Sequence, residues 1–468
     1  MISDRASAST FDSVDPATGE VLATLPVSGP DEVEAAVEAA RGAQAAWGAA
    51  DPMERTRVLL RLAALVEEHA DELARLESRD VGKPVAEAVS RDVPFTIQTW
   101  LYYAGWPTKI LGTTNPAKPG VFTYTLREPL GVVAAITPWN FPMTIASWKL
   151  APALACGNAV IHKPAEEAPL TALRLAELAL EAGMPEGLWT VLTGDGSTGA
   201  ALAAHPRVDK VSFTGSTEVG QEIQRAAAGN LKRLTLELGG KSANIVLDDA
   251  DLDAATAGAI NATFRNQGEI CTAGARLVAH ERIADAVVER LAERVSGIRL
   301  GRGLDPDTEM GPLVSERQRA RVLDLYASAR DEGAEAVVGG GSATVEEYPD
   351  GFFVQPTIFD GTRNEMRINR EEIFGPAVAV IRVGDEDEAV RVANDTDFGL
   401  AAAVWTRDGA RAHRIARALR AGTVWVNMYG GLDPYSTFSG RGLSGYGYEL
   451  GPESIGEYTA VKTIKSAI

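Results

Sequence analysis

The two cysteines of this 468-residue chain lie in different surroundings. Cys271 lies in the stretch NQGEICTAG (266–274), where a glycine on either side lets a substrate approach the sulfur closely. Cys156 lies in the apolar stretch LAPALACGNAV, which is typical of a buried, unreactive thiol. Because a free thiol is mostly protonated at neutral pH, a catalytic cysteine needs help from its neighbours. We therefore take Cys271 as the candidate nucleophile and Cys156 as a structural residue.

Two polar side chains follow predicted strands. Glu237 lies near the end of LTLEL (234–238), and Asn140 follows GVVAAIT (131–137) within the segment TPWNFP. Ligands of an open parallel sheet bind at the carboxyl ends of its strands. The sequence therefore predicts a carboxylate and a side-chain amide at one functional edge.

The elements that must position these residues alternate between strands and helices. Strands are predicted at 131–137, 158–162, 188–193, 210–214, 234–238, 378–383 and 423–427. Helices are predicted at 31–47, 53–88, 171–184, 284–298 and 316–335 and in the stretch after Gly215, and 338–351 is predicted to be a loop. Strands that alternate with helices form βαβ units and parallel sheets. We expect two α/β domains with a cleft between them.

Two glycine-containing turns could hold the phosphates of a dinucleotide. Residues 194–199 read G-x-G-x-x-G, but the next strand ends without the acidic residue that this fingerprint requires. The turn after Thr214 is the better candidate, because Gly215 permits close approach and Ser216 can cap a helix whose N-terminus attracts phosphate. An ordinary capped helix is the alternative. Glu166 could bind ribose hydroxyls and favour NAD, whereas Lys163 keeps NADP possible.

Composition excludes several classes of function. The chain has 45 Lys and Arg against 64 Asp and Glu, a net charge of −19, which makes nucleic-acid binding unlikely. Two cysteines and five scattered histidines predict no metal site. No apolar run approaches the length of a membrane span, and the N-terminus lacks a signal-peptide pattern. We expect a soluble, cytoplasmic protein.

Six motifs together resemble those of the NAD(P)-dependent aldehyde dehydrogenase superfamily. They appear in the family's order along almost the whole chain, and 34 positions separate Glu237 from Cys271, as is usual there. The motifs are TPWNFP (137–142), KPAE (163–166), FTGSTEVG (213–220), LELGGKS (236–242), NQGEIC (266–271) and EEIFGP (371–376). The resemblance implies a Rossmann-type cofactor domain, a second α/β catalytic domain and a small β oligomerisation arm.

The resemblance also implies domain limits and an assembly. The NAD-binding domain is expected at 1–111 and 131–238, and the catalytic domain at 239–440. The oligomerisation arm is expected at 112–130 and 455–468, so that the chain forms a homodimer or homotetramer.

The family mechanism implies roles for five residues. Cys271 would attack the aldehyde, and Asn140 and the Cys271 backbone N–H would hold the oxyanion. The thiohemiacetal would lose a hydride and become a thioester, which water activated by Glu237 would hydrolyse. Lys149 and Glu449 match positions implicated in relaying the proton outward.

Two alternatives to this mechanism are considered. A CoA-acylating relative would normally lack the base that Glu237 matches. A non-redox thiol esterase or an inactive structural member of the fold is the alternative from another class.

The resemblance assigns ten residues to the cofactor NAD, with NADP possible. The adenosine side would contact four residues, the pyrophosphate two and the nicotinamide half four. They are, in that order, Ile136, Trp139, Lys163 and Glu166; Gly215 and Ser216; and Thr214, Leu238, Glu372 and Phe374.

The substrate tunnel of the family matches six residues here, namely Phe141, Trp148, Arg265, Ile270, Thr272 and Phe438. Arg265 could bind the carboxylate of a semialdehyde such as succinate semialdehyde, as in dehydrogenases of that substrate. The second arginine usual in those enzymes matches Trp148 here. Arg265 could instead pair with a protein carboxylate such as Glu269, and Trp148 and Phe141 would favour an aromatic or aliphatic aldehyde.

Two residues near the C-terminus depart from the family pattern. Relatives often carry lysine at the position of Gly442 and arginine at that of Tyr448. Local ion pairs are therefore expected to be missing there.

Overall fold

A computed structural model describes residues 9–468. Its strands are β1 (Thr10–Val14), β2 (Val21–Pro26), β3 (Thr114–Asn115), β4 (Val121–Pro129), β5 (Val132–Ile136), β6 (Ala159–Lys163), β7 (Trp189–Val191), β8 (Lys210–Thr214), β9 (Arg233–Glu237), β10 (Ala243–Val246), β11 (Arg276–His280), β12 (Glu335–Val338), β13 (Thr357–Asp360), β14 (Ala377–Val383), β15 (Ala401–Trp405), β16 (Thr423–Val426), β17 (Gly445–Tyr446) and β18 (Thr459–Ala467).

The helices lie mainly between these strands. They are α1 (Pro30–Ala49), α2 (Pro52–Glu68), α3 (Ala70–Val81), α4 (Val85–Glu87), α5 (Val93–Ala104), α6 (Pro142–Ala155), α7 (Leu170–Glu181), α8 (Gly196–Ala204), α9 (Thr217–Ala227), α10 (Leu252–Thr263), α11 (Glu281–Val295), α12 (Glu316–Asp331), α13 (Arg367–Arg370), α14 (Glu386–Asn394), α15 (Gly409–Ala418) and α16 (Ser454–Glu457). A π-helical segment, Ala88–Asp92, joins α4 to α5.

A six-stranded sheet has the order β17-β9-β8-β5-β6-β7. All neighbouring pairs from β9 to β7 are parallel, and β17 runs antiparallel to β9. Every residue of β5, β6 and β8 is buried, as expected for strands that helices cover on both faces. The register places Thr214 beside Glu237 and Ile136 beside Phe213, so the carboxyl ends of three strands meet at one edge.

A second sheet has seven strands in the order β12-β13-β14-β11-β10-β15-β16. Its strands are parallel except for β12, which runs antiparallel to β13 at one edge. Apolar clusters lie on both of its faces, one around Val246 and Leu277 and another around Ile245 and Val278. The mixed α/β class with parallel sheets is therefore confirmed.

A separate three-stranded antiparallel sheet has the order β18-β4-β3. The nine residues of β18 pair along the whole of β4, from Thr459 beside Pro129 to Ala467 beside Val121. These strands lie in the two segments predicted to form an arm. The domain limits given above stay a prediction. Within residues 9–468, no helix is long and apolar enough to cross a lipid bilayer.

The predicted strands agree with the structure to within one or two residues at most ends, but one helix prediction is wrong. Residues 53–88 were expected to be one helix, whereas α2 ends at Glu68 and α3 ends at Val81. Gly82 follows α3 with a φ of 81°, a left-handed conformation that favours glycine and ends the helix. Eleven of the eighteen described strands were not predicted. Among them is β17, whose two residues, Gly445 and Tyr446, carry no alternating pattern.

Candidate active site

Asn140 and Glu237 lie where the strands of the six-stranded sheet end. Glu237 is the last residue of β9, and Asn140 lies between β5 and the start of α6. Both are buried, with exposed fractions of 2% and 3%. On the other side of Glu237, Gly445 of β17 pairs with it.

The loop that carries Cys271 is fixed to Asn140 by hydrogen bonds. The Asn140 amide donates to the Glu269 carbonyl oxygen at 2.8 Å. The Asn266 amide donates to the carbonyl oxygens of Asn140 at 3.0 Å and of Glu269 at 3.3 Å. A tight, left-handed turn starts this loop, with φ of 47° at Asn266 and 55° at Gln267. The turn brings an amide and a thiol from different sheets together.

Two cavities meet at Cys271. The first has a volume of about 540 Å³ and lies along the carboxyl ends of β8 and β9. The second has a volume of about 280 Å³ and lies beside the start of α6. Cys271 lines both, so its thiol is reached from two sides.

The larger cavity contains seven of the ten residues predicted to bind the cofactor. They are Trp139, Thr214, Gly215, Ser216, Leu238, Glu372 and Phe374. Ile136, Lys163 and Glu166 do not line it. Lys163 and Glu166 pair with each other at 3.3 Å after β6, and the Lys163 carbonyl oxygen accepts a hydrogen bond from the Thr137 N–H.

The residues of this larger cavity fit a dinucleotide. The Ser216 hydroxyl accepts a hydrogen bond from the Val219 N–H, which confirms the predicted cap of α9 and directs that helix N-terminus to the cavity. The buried Thr214 hydroxyl has no partner among residues 9–468. Glu372 accepts a hydrogen bond from the Gly240 N–H at 3.0 Å, and burial raises its pKa to about 7. A free hydroxyl, a helix N-terminus and a carboxylate are groups that bind ribose and phosphate.

The G-x-G-x-x-G segment at 194–199 lies elsewhere. Gly194 has a φ of 151°, and Asp195 caps α8 by accepting from the Ser197 N–H. None of the six residues lines the larger cavity. The glycine pattern therefore serves a strand-to-helix turn at this position.

Five of the six predicted substrate residues line the smaller cavity, namely Phe141, Trp148, Arg265, Ile270 and Thr272. Phe438 lies behind this wall, because its ring packs against that of Trp148 at 5.7 Å and it is 1% exposed. Arg265 pairs with a protein carboxylate, as the alternative interpretation expected, but the partner is Glu87 at 3.1 Å. It is not Glu269, whose carboxylate accepts from the Val314 N–H at 3.0 Å.

The buried Glu237 carboxylate has no partner with full hydrogen-bond geometry among the described residues. Burial raises its pKa well above the ordinary value, and the charge of Glu449 raises it further, while Lys149 and the Gly440 backbone N–H oppose the shift. A raised pKa makes the ionised carboxylate a stronger base than an ordinary glutamate.

Lys149 and Glu449 form a buried ion pair at 2.7 Å. The Ser212 hydroxyl donates to the same Glu449 oxygen, Oε1, at 2.9 Å. The other oxygen, Oε2, has no partner within residues 9–468. The pair therefore has one carboxylate oxygen available for a further proton-carrying group.

The Cys271 thiol is held in its protonated form in the free protein. Burial raises its pKa to about 12, and the nearby carboxylates Glu372 and Glu237 add to the shift. Cys156 is 4% exposed, and burial likewise raises its pKa to about 12. The two thiols differ in access rather than in pKa, because only Cys271 borders a cavity of substrate size.

Glu87, Arg91 and Asp92 were missed in the sequence. Glu87 pairs with Arg265, and Arg91 and Asp92 line the smaller cavity. They lie in or beside the π-helical segment, at or just beyond the end of the helix predicted at 53–88. Nothing in the spacing of these residues could have revealed their position beside Cys271.

The two departures near the C-terminus have different structural settings. Gly442 has a φ of 60°, and a Cβ there would lie 2.4 Å from the Asp397 carbonyl oxygen. A lysine would therefore not fit this backbone without a shift. Tyr448 has an exposed side chain, and nothing in the structure explains its presence.

Comparison with known proteins agrees with this geometry. Residues 2–464 match the sequence model of the aldehyde dehydrogenase family. The chain is 47% identical to DhaS of Bacillus subtilis (strain 168) over 462 residues, which cover 98% of this chain and 92% of DhaS.

Two solved structures with bound cofactor are similar over nearly their whole length. PnpE from Pseudomonas sp. WBC-3 in complex with nicotinamide adenine dinucleotide is 44% identical, with a TM-score of 0.97. The NAD⁺ complex of an aldehyde dehydrogenase from Bacillus cereus is 43% identical, with a TM-score of 0.96. Each similarity covers 98% of this chain and 94% of the other.

Proposed function

Because this chain belongs to the aldehyde dehydrogenase family and is an NAD(P)-dependent aldehyde oxidoreductase that uses NAD, we propose that it oxidises an aldehyde to a carboxylic acid through a thioester on Cys271. The observation that carries this proposal is the position of Cys271 between two cavities. A dinucleotide in the larger cavity and an aldehyde in the smaller one would reach the sulfur from opposite sides.

The reaction begins with attack by sulfur. The Cys271 Sγ forms a bond to the aldehyde carbon, and the thiol proton passes to solvent water, which reaches this partly exposed residue through the cavities. The carbonyl oxygen takes up negative charge, which the Asn140 amide and the Cys271 N–H stabilise. An oxyanion donor of this kind lowers the barrier by about 3–4 kcal/mol.

The larger cavity would hold NAD through the unpartnered Thr214 hydroxyl, the N-terminus of α9 at Ser216 and the Glu372 carboxylate. When it is bound, NAD supplies the hydride acceptor that turns a thiohemiacetal into a thioester. The Lys163–Glu166 pair supports a preference for NAD over NADP, since Lys163 is already neutralised and Glu166 would repel a 2′-phosphate.

Glu237 acts as the base in the hydrolysis of the thioester. It takes a proton from water, whose oxygen forms a bond to the thioester carbon, and the carbon–sulfur bond breaks to release the carboxylic acid and the Cys271 thiolate. The proton then passes toward the free Oε2 of Glu449, whose other oxygen is held by Lys149. Because this pair is buried, it relays the proton without exposing the thioester to bulk solvent.

The smaller cavity supports two classes of aldehyde. Its aromatic lining, with Phe141 and Trp148, favours a chain or ring of carbon atoms. A semialdehyde such as succinate semialdehyde needs a cation as well. Arg265 is a weaker candidate for that cation than its sequence position indicates, because it is paired with Glu87.

Cys271→Ala and Cys156→Ala form a matched pair that tests the proposal. Steady NADH formation from NAD and an aldehyde should fall by at least about 10³-fold in Cys271→Ala, because the covalent route is lost. NAD binding, followed by tryptophan fluorescence, should be retained. Cys156→Ala should keep its activity, because this residue borders neither cavity. Appreciable turnover by Cys271→Ala would refute the assignment of Cys271 as the nucleophile.

A further inference from the structure

The smaller cavity contains a cation that the proposed chemistry does not use. Arg91 lies on the π-helical segment and lines the same cavity as Cys271. Ser90, Arg91 and Gln98 are exposed, whereas Trp148 and Ile270 are buried. Arg91 therefore marks the open side of the cavity, and the thiol lies at the closed side.

The acidic groups around Arg91 are occupied by other cations. Lys83 binds Asp92 at 2.6 Å and Glu77 at 2.9 Å, and all three are buried. Arg265 binds Glu87 at 3.1 Å, and Glu87 also accepts from the Asn266 N–H.

Arg91 has no such partner. Within residues 9–468, no carboxylate forms an ion pair with it, and its hydrogen bond is to a neutral amide, the Oδ1 of Asn261 at 3.1 Å. Asn261 is fixed in turn, because its amide donates to the Tyr429 carbonyl oxygen at 2.9 Å. The guanidinium is thus oriented by one of its N–H groups, which leaves the others for a ligand.

A second cation lies close by. Burial and the like charge of Arg265 lower the pKa of Arg91, and the carboxylates of Glu87 and Asp92 oppose this shift. Arg265 also lies over the Phe141 ring, with 5.7 Å from its Cζ to the ring centre. Glu87 is paired with Arg265 and Asp92 with Lys83, so Arg91 is the cation at this end of the cavity that has no ion pair within residues 9–468.

We propose that Arg91 binds a carboxylate at the far end of the substrate, so that this enzyme's preferred aldehydes are semialdehydes of several carbons. Their carbon chain packs against Phe141 and Trp148, and the aldehyde reaches Cys271. The inference rests on the proposed oxidation and moves the anion contact from Arg265 to Arg91. A planar guanidinium suits a carboxylate, because two N–H groups can bind its two oxygens.

A pair of substrates of equal chain length tests this inference. The rate of NADH formation is compared for succinic semialdehyde and butanal, which differ in the terminal carboxylate, with a second pair one carbon longer. The wild type should prefer the acidic member of at least one pair. Arg91→Gln should lower kcat/KM for that member by about tenfold to hundredfold, mainly through KM, which is the range for a charged hydrogen bond at a partly exposed site.

Butanal serves as the control for folding and chemistry. The kcat/KM for butanal should change by less than about threefold in Arg91→Gln, because the contacts between its carbon chain and the smaller cavity are retained. Arg91→Lys should keep part of the preference. Arg75→Gln removes a distant exposed arginine of α3 and should change neither substrate.

An inhibitor gives a second reading that does not require an acidic substrate. Succinate should inhibit butanal oxidation by the wild type and should bind at least tenfold more weakly to Arg91→Gln. If Arg91→Gln lowered kcat/KM equally for the acidic and the neutral substrate, or left the preference for the acidic one unchanged, the inference would be overturned. The proposed oxidation would stand in both cases. If the wild type oxidised neither member of either pair, the proposed function would fail and the inference with it.

Discussion

Glu237, which is buried, and Cys271, which is partly exposed, both have pKa values above the ordinary range. Raised values hold both protons in place until a substrate arrives. The Glu237 carboxylate has no partner with full hydrogen-bond geometry in the described part of the chain, so its proton affinity is available to water. Burying these polar groups lowers the stability of the folded chain, and such groups are commonly found at functional sites.

Glu237→Gln should separate the two halves of the reaction. One equivalent of NADH should form rapidly, and the later steady rate should fall by about 10²–10⁴-fold, because an amide cannot take a proton from water. The measurement is stopped-flow absorbance of NADH. In the wild type the steady rate should rise with pH, since only ionised Glu237 acts as a base and its pKa is raised. A variant whose steady rate matched the wild type would exclude Glu237 as the base.

Glu372 predicts the pH dependence of cofactor binding. Its pKa of about 7 means that the carboxylate ionises as pH rises from 6 to 8. If NAD hydroxyls bind the ionised form, affinity should increase over this range by up to about tenfold. The NAD affinity at each pH is measured by following tryptophan fluorescence as NAD is added. Glu372→Gln should bind with little pH dependence, whereas the exposed Glu365→Gln should behave as the wild type does. If the NAD affinity of Glu372→Gln rose with pH as steeply as that of the wild type, Glu372 would not be the group whose ionisation controls NAD binding.

Strand β17 acts as the support of Glu237. Gly445 pairs with Glu237 and has a φ of 100°, and a Cβ there would lie 1.9 Å from the Leu236 carbonyl oxygen. Gly445→Ala should therefore separate β17 from β9. We expect the free energy of unfolding to fall by about 1–3 kcal/mol, and thioester hydrolysis to slow.

Denaturant unfolding and the steady NADH rate check this expectation. Gly456→Ala is the matched control, because a Cβ there meets no atom within 4 Å. An unchanged midpoint and rate in Gly445→Ala would show that β17 does not position Glu237.

The sequence predicts seven of the eighteen described strands, because their buried residues form continuous apolar runs. KVSFT matches β8 at both ends. The break at His69 carries neither glycine nor proline and could not be seen, whereas Gly82 and Pro84 form a stop signal that the helical periodicity obscured.

Within the site, the motif residues were predictable because each lies at a strand end or in a glycine-flanked loop. Arg91 and the pairing of Glu87 with Arg265 were not, because they depend on a π-helical turn and on contacts between distant segments. Such contacts leave no spacing pattern in a sequence.

At the scale of the whole molecule, β18 is an edge strand, which pairs with β4 and with no other strand among residues 9–468. Its nine residues form one side of the three-stranded sheet, and Phe122, Leu126 and Val461 expose large apolar side chains on that sheet. Long edge strands of this kind pair with other chains unless they are covered. We propose that the sheet joins copies of this chain in a homodimer or homotetramer.

Sedimentation velocity tests the proposed interface. The double variant Phe122→Ser and Val461→Asp should shift the protein toward a smaller species, because burying an unpaired charge in an interface is costly. Leu180→Ser removes an equally exposed apolar side chain of α7, and it should leave the assembly unchanged. An unaltered sedimentation coefficient in the double variant would place the interface elsewhere.

The thioester on Cys271 is the central claim, and mass spectrometry tests it most directly. Glu237→Gln is mixed with NAD and an aldehyde that the wild type oxidises, quenched in acid, and its mass is measured intact and after digestion. We predict one acyl group per chain, on the peptide that contains Cys271. An unmodified chain after one equivalent of NADH has formed, or an acyl group on the peptide of Cys156, would contradict the mechanism.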